Sequence, residues 1–118
     1  MRVIICGSRT WVNQRIIKDT IYELHQQYRD ELIIIHGDHW EGADRICSNY
    51  CSLICVNTFS FPADWHRYGK SAGSRRNQLM IDIGMPYKAI AFDLGTAGTA
   101  DMIRRCIKAN IPVEVIKP

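Results

Sequence analysis

Apolar positions along the chain fall into short blocks separated by longer stretches with helical spacing. Arg2 to Cys6 is short, β-branched and apolar, and it runs into Gly7-Ser8-Arg9, which predicts a buried strand. Asn13 is placed to cap a helix in which Ile16, Ile17, Ile21, Leu24 and Tyr28 recur at helical intervals. Leu32 to His36 predicts a second strand, closed by Gly37-Asp38. A second helix follows from about Ala43 to Cys55, and Val56 to Phe61 predicts a third strand before Pro62. Ala63 to Gly73 is polar and shows no period. A third helix then runs to about Ile83 and is stopped by Gly84 and Pro86. Lys88 to Phe92, Thr99 to Asn110 and Val113 to Ile116 complete the pattern as strand, helix and strand.

Strands alternate strictly with helices, and the strands read as apolar throughout rather than at every second residue. Both sheet faces must then be covered, which predicts parallel pairing with helices on either side. The expected fold class is α/β: a small Rossmann-like three-layer sandwich with a five-stranded, mostly parallel sheet. No linker, repeat or low-complexity segment interrupts it, so residues 1–118 are expected to form a single domain. A chain of this length can bury a core without metal or disulfide staples. A hydrophobic content of 47% with 23% charged residues excludes disorder and coiled coil.

In an open parallel sheet, ligands bind beyond the carboxyl ends of the strands, where loops lead into helix N-termini. The loops after Cys6, His36, Phe61 and Phe92 qualify, and they hold most of the distinctive residues. Gly95, Thr96, Gly98 and Thr99 form a glycine-rich strand-to-helix loop, whose free N–H groups and hydroxyls suit a phosphate; a plain tight turn capped by Thr99 is the alternative. Gly7, Ser8 and Arg9 repeat that arrangement after the first strand, and Arg9 can hold a phosphate bidentately or stand solvated. Arg76 falls in line with Leu79, Met80 and Ile83, so it needs an anion, or a carboxylate such as Asp64 or Asp93. In His36-Gly37-Asp38-His39 the two histidines and the aspartate have ligand-like side chains, but the spacing is tight and no further soft ligand lies nearby. Loop polarity accounts for them, and no metal is expected. Cys47, Cys51 and Cys55 share a helical face and read as small core hydrophobes, with Asp44 pointing the other way.

Fifteen Lys and Arg against twelve Asp and Glu give a net charge of +3, too mild to imply nucleic acid. Trp65, His66, Arg67, Tyr68 and Lys70 are a partial version of an aromatic–basic strand-binding surface, so nucleic acid ranks as an unlikely partner. No apolar run approaches the ~20 residues that cross a bilayer, and no membrane association is expected. Val3 to Cys6 is too short for an export signal. The five cysteines form no C-x-x-C pair, so reduced thiols and a cytoplasmic location are expected.

Several motifs occur together in order. They are Gly7-Ser8-Arg9, Gly42-Ala43-Asp44-Arg45, Phe61-Pro62-Ala63-Asp64-Trp65, Tyr68-Gly69-Lys70 through Arg76-Asn77, and Gly98-Thr99-Ala100. With them the chain resembles the YspA-like branch of the SLOG superfamily, which is related to the Lonely Guy and DprA proteins, along nearly its full length. His39-Trp40-Glu41 depart from the pattern, where smaller residues would be expected. The resemblance implies a Rossmann-like fold that binds nucleotide-derived ligands, often as a homo-oligomer. Some superfamily members sense or process such signals in conflicts between cells and phages.

The expected function is to bind a small nucleotide-derived ligand, ADP-ribose-like or a cyclic nucleotide, and to sense or sequester it without a cofactor. Gly98 and Thr99, with Ser8 and Arg9, would cradle a phosphate. Arg76 and Asn77 would complete the charged wall, Asp44 or Asp64 would take ribose hydroxyls, and Trp65 would stack on a base. The rival readings are a phosphoribohydrolase or N-glycosidase and, further off, a single-strand nucleic-acid binder. In the Lonely Guy relatives a catalytic glutamate follows the glycine–threonine loop; its position here is Met102, so no catalytic residue is assigned.

Overall fold

The computed structural model describes residues 1–118. Five strands form one sheet: β1 (Arg2–Gly7), β2 (Ile33–His36), β3 (Asn57–Ser60), β4 (Lys88–Phe92) and β5 (Val113–Ile116). Their order is β3-β2-β1-β4-β5, and every neighbouring pair is parallel. The sheet is thus wholly rather than mostly parallel. In register, Ile4 sits between Ile35 of β2 and Ala89 of β4.

The helices are α1 (Gln14–Tyr28), α2 (Ala43–Leu53), a single-turn α3 (Trp65–Tyr68), α4 (Ala72–Asp82) and α5 (Ala97–Lys108). Asn13 caps α1 as its sequence position suggests, its Oδ1 accepting from the Ile16 N–H at 3.4 Å. Alternation along β1 sends Val3 and Ile5 to one face, where Ile17 and Ile21 of α1 and Cys47 and Cys51 of α2 cover them. Ile4 and Cys6 face the other way, against Met80 and Ile81 of α4 and Met102 and Cys106 of α5. Burying each large aliphatic side chain contributes about 1.5–3 kcal/mol. These two apolar layers fix the sheet between its helix pairs.

Several sequence expectations shift. The central strands are apolar on both faces, but the edge strands are not: Asn57, Thr58 and Ser60 of β3 and Glu114 and Val115 of β5 are exposed. An edge strand has neighbours on one side only, and the helices do not reach far enough to cover it. Helix α2 ends at Leu53. Cys55 lies beyond it, exposed and left-handed at φ 60°, while the Val56 N–H donates to the Cys51 carbonyl to close the helix. Only Cys47 and Cys51 of the three are core. Ala63 to Gly73 is not irregular, because it contains α3 and a 3-10 turn at Gly69–Ser71. On α4 the buried face runs through Ala72, Asn77, Met80 and Ile81, whereas Leu79 and Ile83 are about half exposed.

From β1 the chain steps outward through β2 to β3 and then crosses back to β4, so the strand order reverses between β1 and β4. That reversal opens a crevice at the carboxyl ends of the two strands.

Candidate functional site

A cleft of about 630 Å³ occupies this crevice. Eleven of the thirteen residues singled out from the sequence line it: Gly7, Ser8, Arg9, Gly37, Asp44, Trp65, Arg76, Asn77, Thr96, Gly98 and Thr99. Asp64 and Gly95 do not. The Asp64 carboxylate accepts from the Arg67 N–H at 3.0 Å and caps α3 instead. Gly95 adopts φ 81° and donates its N–H to Asp93 Oδ1 at 2.7 Å, so its role is to shape the turn.

One wall is the start of α5. The N–H groups of Ala97, Gly98 and Thr99 have no acceptor within the chain, because they precede the first helical bond from Ala100 to Thr96. Thr96 occupies the N-cap position, but its side chain does not cap the helix. Its hydroxyl shares a 2.8 Å hydrogen bond with Ser8 Oγ and donates to Thr99 Oγ1 at 3.2 Å. Ser8 also accepts from the Leu94 N–H at 3.1 Å and is almost wholly buried. Ser8 therefore bolts the first glycine loop to the last, and its hydroxyl is engaged within the chain.

The glycines differ in why they are glycine. A Cβ at Gly7 would stand 2.6 Å from Ala43 Cβ and 2.8 Å from the Phe92 carbonyl, so close packing of β1, β4 and α2 requires it. A Cβ at Gly98 would meet nothing within 4 Å, and Gly98 has no positive φ. The fold itself gives no reason for glycine there. Its bare backbone faces open cleft beside three free N–H groups, which is the geometry that admits a close-approaching anion.

The opposite wall is built on α4. Arg76 Nη1 donates to the Gly37 carbonyl at 2.6 Å and Nε to Asn77 Oδ1 at 3.0 Å, leaving Nη2 without a partner in the chain. Neither carboxylate expected from the sequence meets it: Asp64 caps α3, and Asp93 pairs with Lys117 at 2.6 Å. The charge that Arg76 feels most is Asp44, although the two form no ion pair within 4 Å. Burial lowers the pKa of Arg76, and Asp44 pulls it back up. Burial likewise raises the pKa of Asp44, against the pull of Arg76 and of the His39 N–H, which donates to Oδ2 at 3.2 Å. Helical spacing alone put Asp44 on the solvent side. The first turn of α2 instead faces the cleft, and Asp44 is 8% exposed.

Beneath them, burial lowers the pKa of His36, whose Nδ1 accepts from the Asp38 N–H at 3.0 Å. His36 and His39 thus brace their loop, and no three His, Cys, Asp or Glu residues gather into a metal-binding group. Asn77 ties the two walls together: its Nδ2 donates to the Gly98 carbonyl at 3.3 Å and to Asp101 Oδ2 at 3.0 Å.

Sequence reasoning did not name Lys70, Asp101 or Arg104 as lining residues. Lys70 lay in the stretch without a period. Asp101 and Arg104 follow Gly98 at three-residue intervals along one face of α5, a spacing that sets all three toward the cleft. Burial would raise the Asp101 pKa, but hydrogen bonds from Arg105 and Asn77 outweigh it and hold the carboxyl below its ordinary value. Trp65 is not a free platform, because the Arg9 guanidinium lies 5.2 Å from its ring centre. Met102 is buried at the cleft floor beside Met80 and Cys106.

Three comparisons set this geometry in context. The profile of a family described as YspA, cpYpsA-related SLOG (YAcAr) matches residues 1–68. The Gene 61 protein of Mycobacterium phage D29 is 35% identical over 119 residues, covering 95% of this chain and 93% of that protein. The Moco Carrier Protein from Chlamydomonas reinhardtii aligns with a TM-score of 0.66 over 99% of this chain and 76% of its own, at 14% identity, a likeness of fold.

Proposed function

The chain belongs to the YspA, cpYpsA-related SLOG family, and from that premise we propose that its cleft binds a small nucleotide-derived anion, ADP-ribose-like or a cyclic nucleotide, which the protein senses or sequesters. The observation that carries this reading is Gly98, a glycine without a folding reason beside three unbonded N–H groups at the start of α5. A phosphate there would be held by the helix N-terminus, with Thr99 and Thr96 adjacent and Arg76 Nη2 as the charged partner. Asp44, buried with one carboxylate oxygen unpartnered, suits a hydroxyl donor such as a ribose diol rather than a second phosphate. Trp65 and Arg9 together offer a stacked surface at the mouth.

The test is mass spectrometry of whatever small molecule is released from purified protein by gentle denaturation, followed by calorimetry with that molecule. Gly98→Trp fills the space in front of the free N–H groups and is expected to abolish binding. A wild-type protein that carries and binds no nucleotide-derived compound overturns the proposal. A hydrolase remains the second reading, because Asp44 is a buried cleft carboxyl with a raised pKa. We also propose a homo-oligomer; the exposed apolar side chains of Leu79, Ile83, Met85 and Tyr87 supply a contact surface. A monomer by light scattering at micromolar concentration, with and without ligand, removes that part.

A further inference from the structure

From Trp65 to Ile81 the chain carries four of its fifteen Lys and Arg residues and none of its twelve carboxylates. Folding sets Arg9, from the loop after β1, against the same surface. Two aromatic rings stand out of it, Trp65 at 44% exposure and Tyr68 at 37%. The Arg9 guanidinium lies 5.2 Å from the Trp65 ring centre, and those of Arg67 and Arg75 lie 5.1 and 4.4 Å from that of Tyr68. The ion pairs of the chain lie elsewhere, on Asp19, Asp93 and Asp101, so Arg9, Arg67, Lys70 and Arg75 have no carboxylate within 4 Å.

The surface is continuous with the cleft. Arg9, Trp65 and Lys70 line it, whereas Arg67, Tyr68 and Arg75 lie beyond it. Arg75 Nε donates to Ser71 Oγ at 3.0 Å, but a single nucleotide seated at α5 leaves the positive charge of these outer groups unmatched. Unpaired guanidinium groups stacked on exposed rings suit a partner that repeats both anionic charge and planar faces. A duplex hides its base faces, and an acidic peptide repeats charge without a planar face at each unit. We propose that the ligand extends past the cleft: a short single-stranded oligonucleotide whose terminal nucleotide enters the cleft, while the following phosphates and bases lie on α3 and the start of α4. This rests on the cleft taking a nucleotide, and it makes a nucleic-acid strand a partner that the mild net charge argued against.

The experiment compares adenosine 5′-monophosphate with 5′-phosphorylated oligoadenylates of two to six nucleotides by calorimetry over a salt series. Affinity is expected to rise at least tenfold from one to four nucleotides. The logarithmic salt slope should steepen by about 0.7 for each further phosphate contacted. Arg67→Ser combined with Arg75→Ser should return the tetranucleotide to mononucleotide affinity and leave the mononucleotide unchanged. If the mononucleotide binds and added length contributes nothing, this inference falls and the cleft reading stands. If a duplex or heparin binds as tightly as the strand, the surface is a plain anion site and the inference also falls. If neither mononucleotide nor strand binds, both readings are overturned.

Discussion

Arg76 is held at two of its three guanidinium nitrogens, by the Gly37 carbonyl and Asn77 Oδ1, and this grip orients the third toward no partner of the chain's own. Arg76→Ala is expected to keep the fold and lower ligand affinity about 10- to 100-fold, the loss of a charge-assisted pair of about 1.5–3 kcal/mol. Calorimetry with unchanged affinity would reduce Arg76 to a brace for the Gly37 loop. A second expectation concerns acid. A hydrogen bond from Lys117, with another from the Gly95 N–H, holds the Asp93 carboxyl below its ordinary value. Its folded pKa is thus lower than its unfolded value of about 3.9, so it adds stability above that pH and loses it as pH falls through the depressed value. Asp93→Asn should therefore be less stable than wild type in urea at pH 7, with the gap closing toward pH 3. A gap that persists in acid would mean the pair is not the source.

Helices α4 and α5 meet through a polar joint. Asn77 is buried, accepts from Arg76, and donates to the Gly98 carbonyl and to Asp101. Asn77→Leu conserves bulk but leaves those groups unpaired, so a loss of about 1–3 kcal/mol in urea denaturation is expected, together with weaker ligand binding. Stability equal to wild type would show that water replaces the amide. Periodicity could not find this position, because a buried asparagine looks polar while Leu79 and Ile83 look like core; hydropathy alone turned the stripe part of the way around α4 and kept only Met80 of its apolar members. The same limit explains Cys55, where helical spacing ran on past Ile54 but the chain had already turned left-handed. Element order and the glycine loops were legible, because strand blocks and loop glycines are local signals. Asp44 and Lys70 were harder to place, because their surroundings come from segments distant in sequence.

Taken whole, the molecule brings Asp44 and Asp101 to the cleft, and Met102 stands at the position for which the resemblance to the Lonely Guy proteins implies a glutamate. Met102 is packed under the cleft, and Asp101 is engaged by Arg105 and Asn77. No release of free base and ribose 5-phosphate from AMP is expected by chromatography after prolonged incubation. Steady release above a Gly98→Trp control would put Asp44 forward as the acid.

The sheet also divides the interior unequally, with fourteen buried residues in the apolar layer under α1 and α2 and nine in the layer under α4 and α5. Arg76, Asn77, Gly98 and Thr99 all belong to the helices of the thinner layer. The half proposed to face the ligand is therefore expected to open more readily, since local opening is easier where less apolar surface is buried. Backbone amides of α4 and α5 should exchange with deuterium faster than those of α1 and α2 in the free protein. Occupancy of the cleft should slow the first pair and, apart from the first turn of α2 that carries Asp44, leave the second nearly unchanged, so that the protein reports its ligand through the quietening of one side.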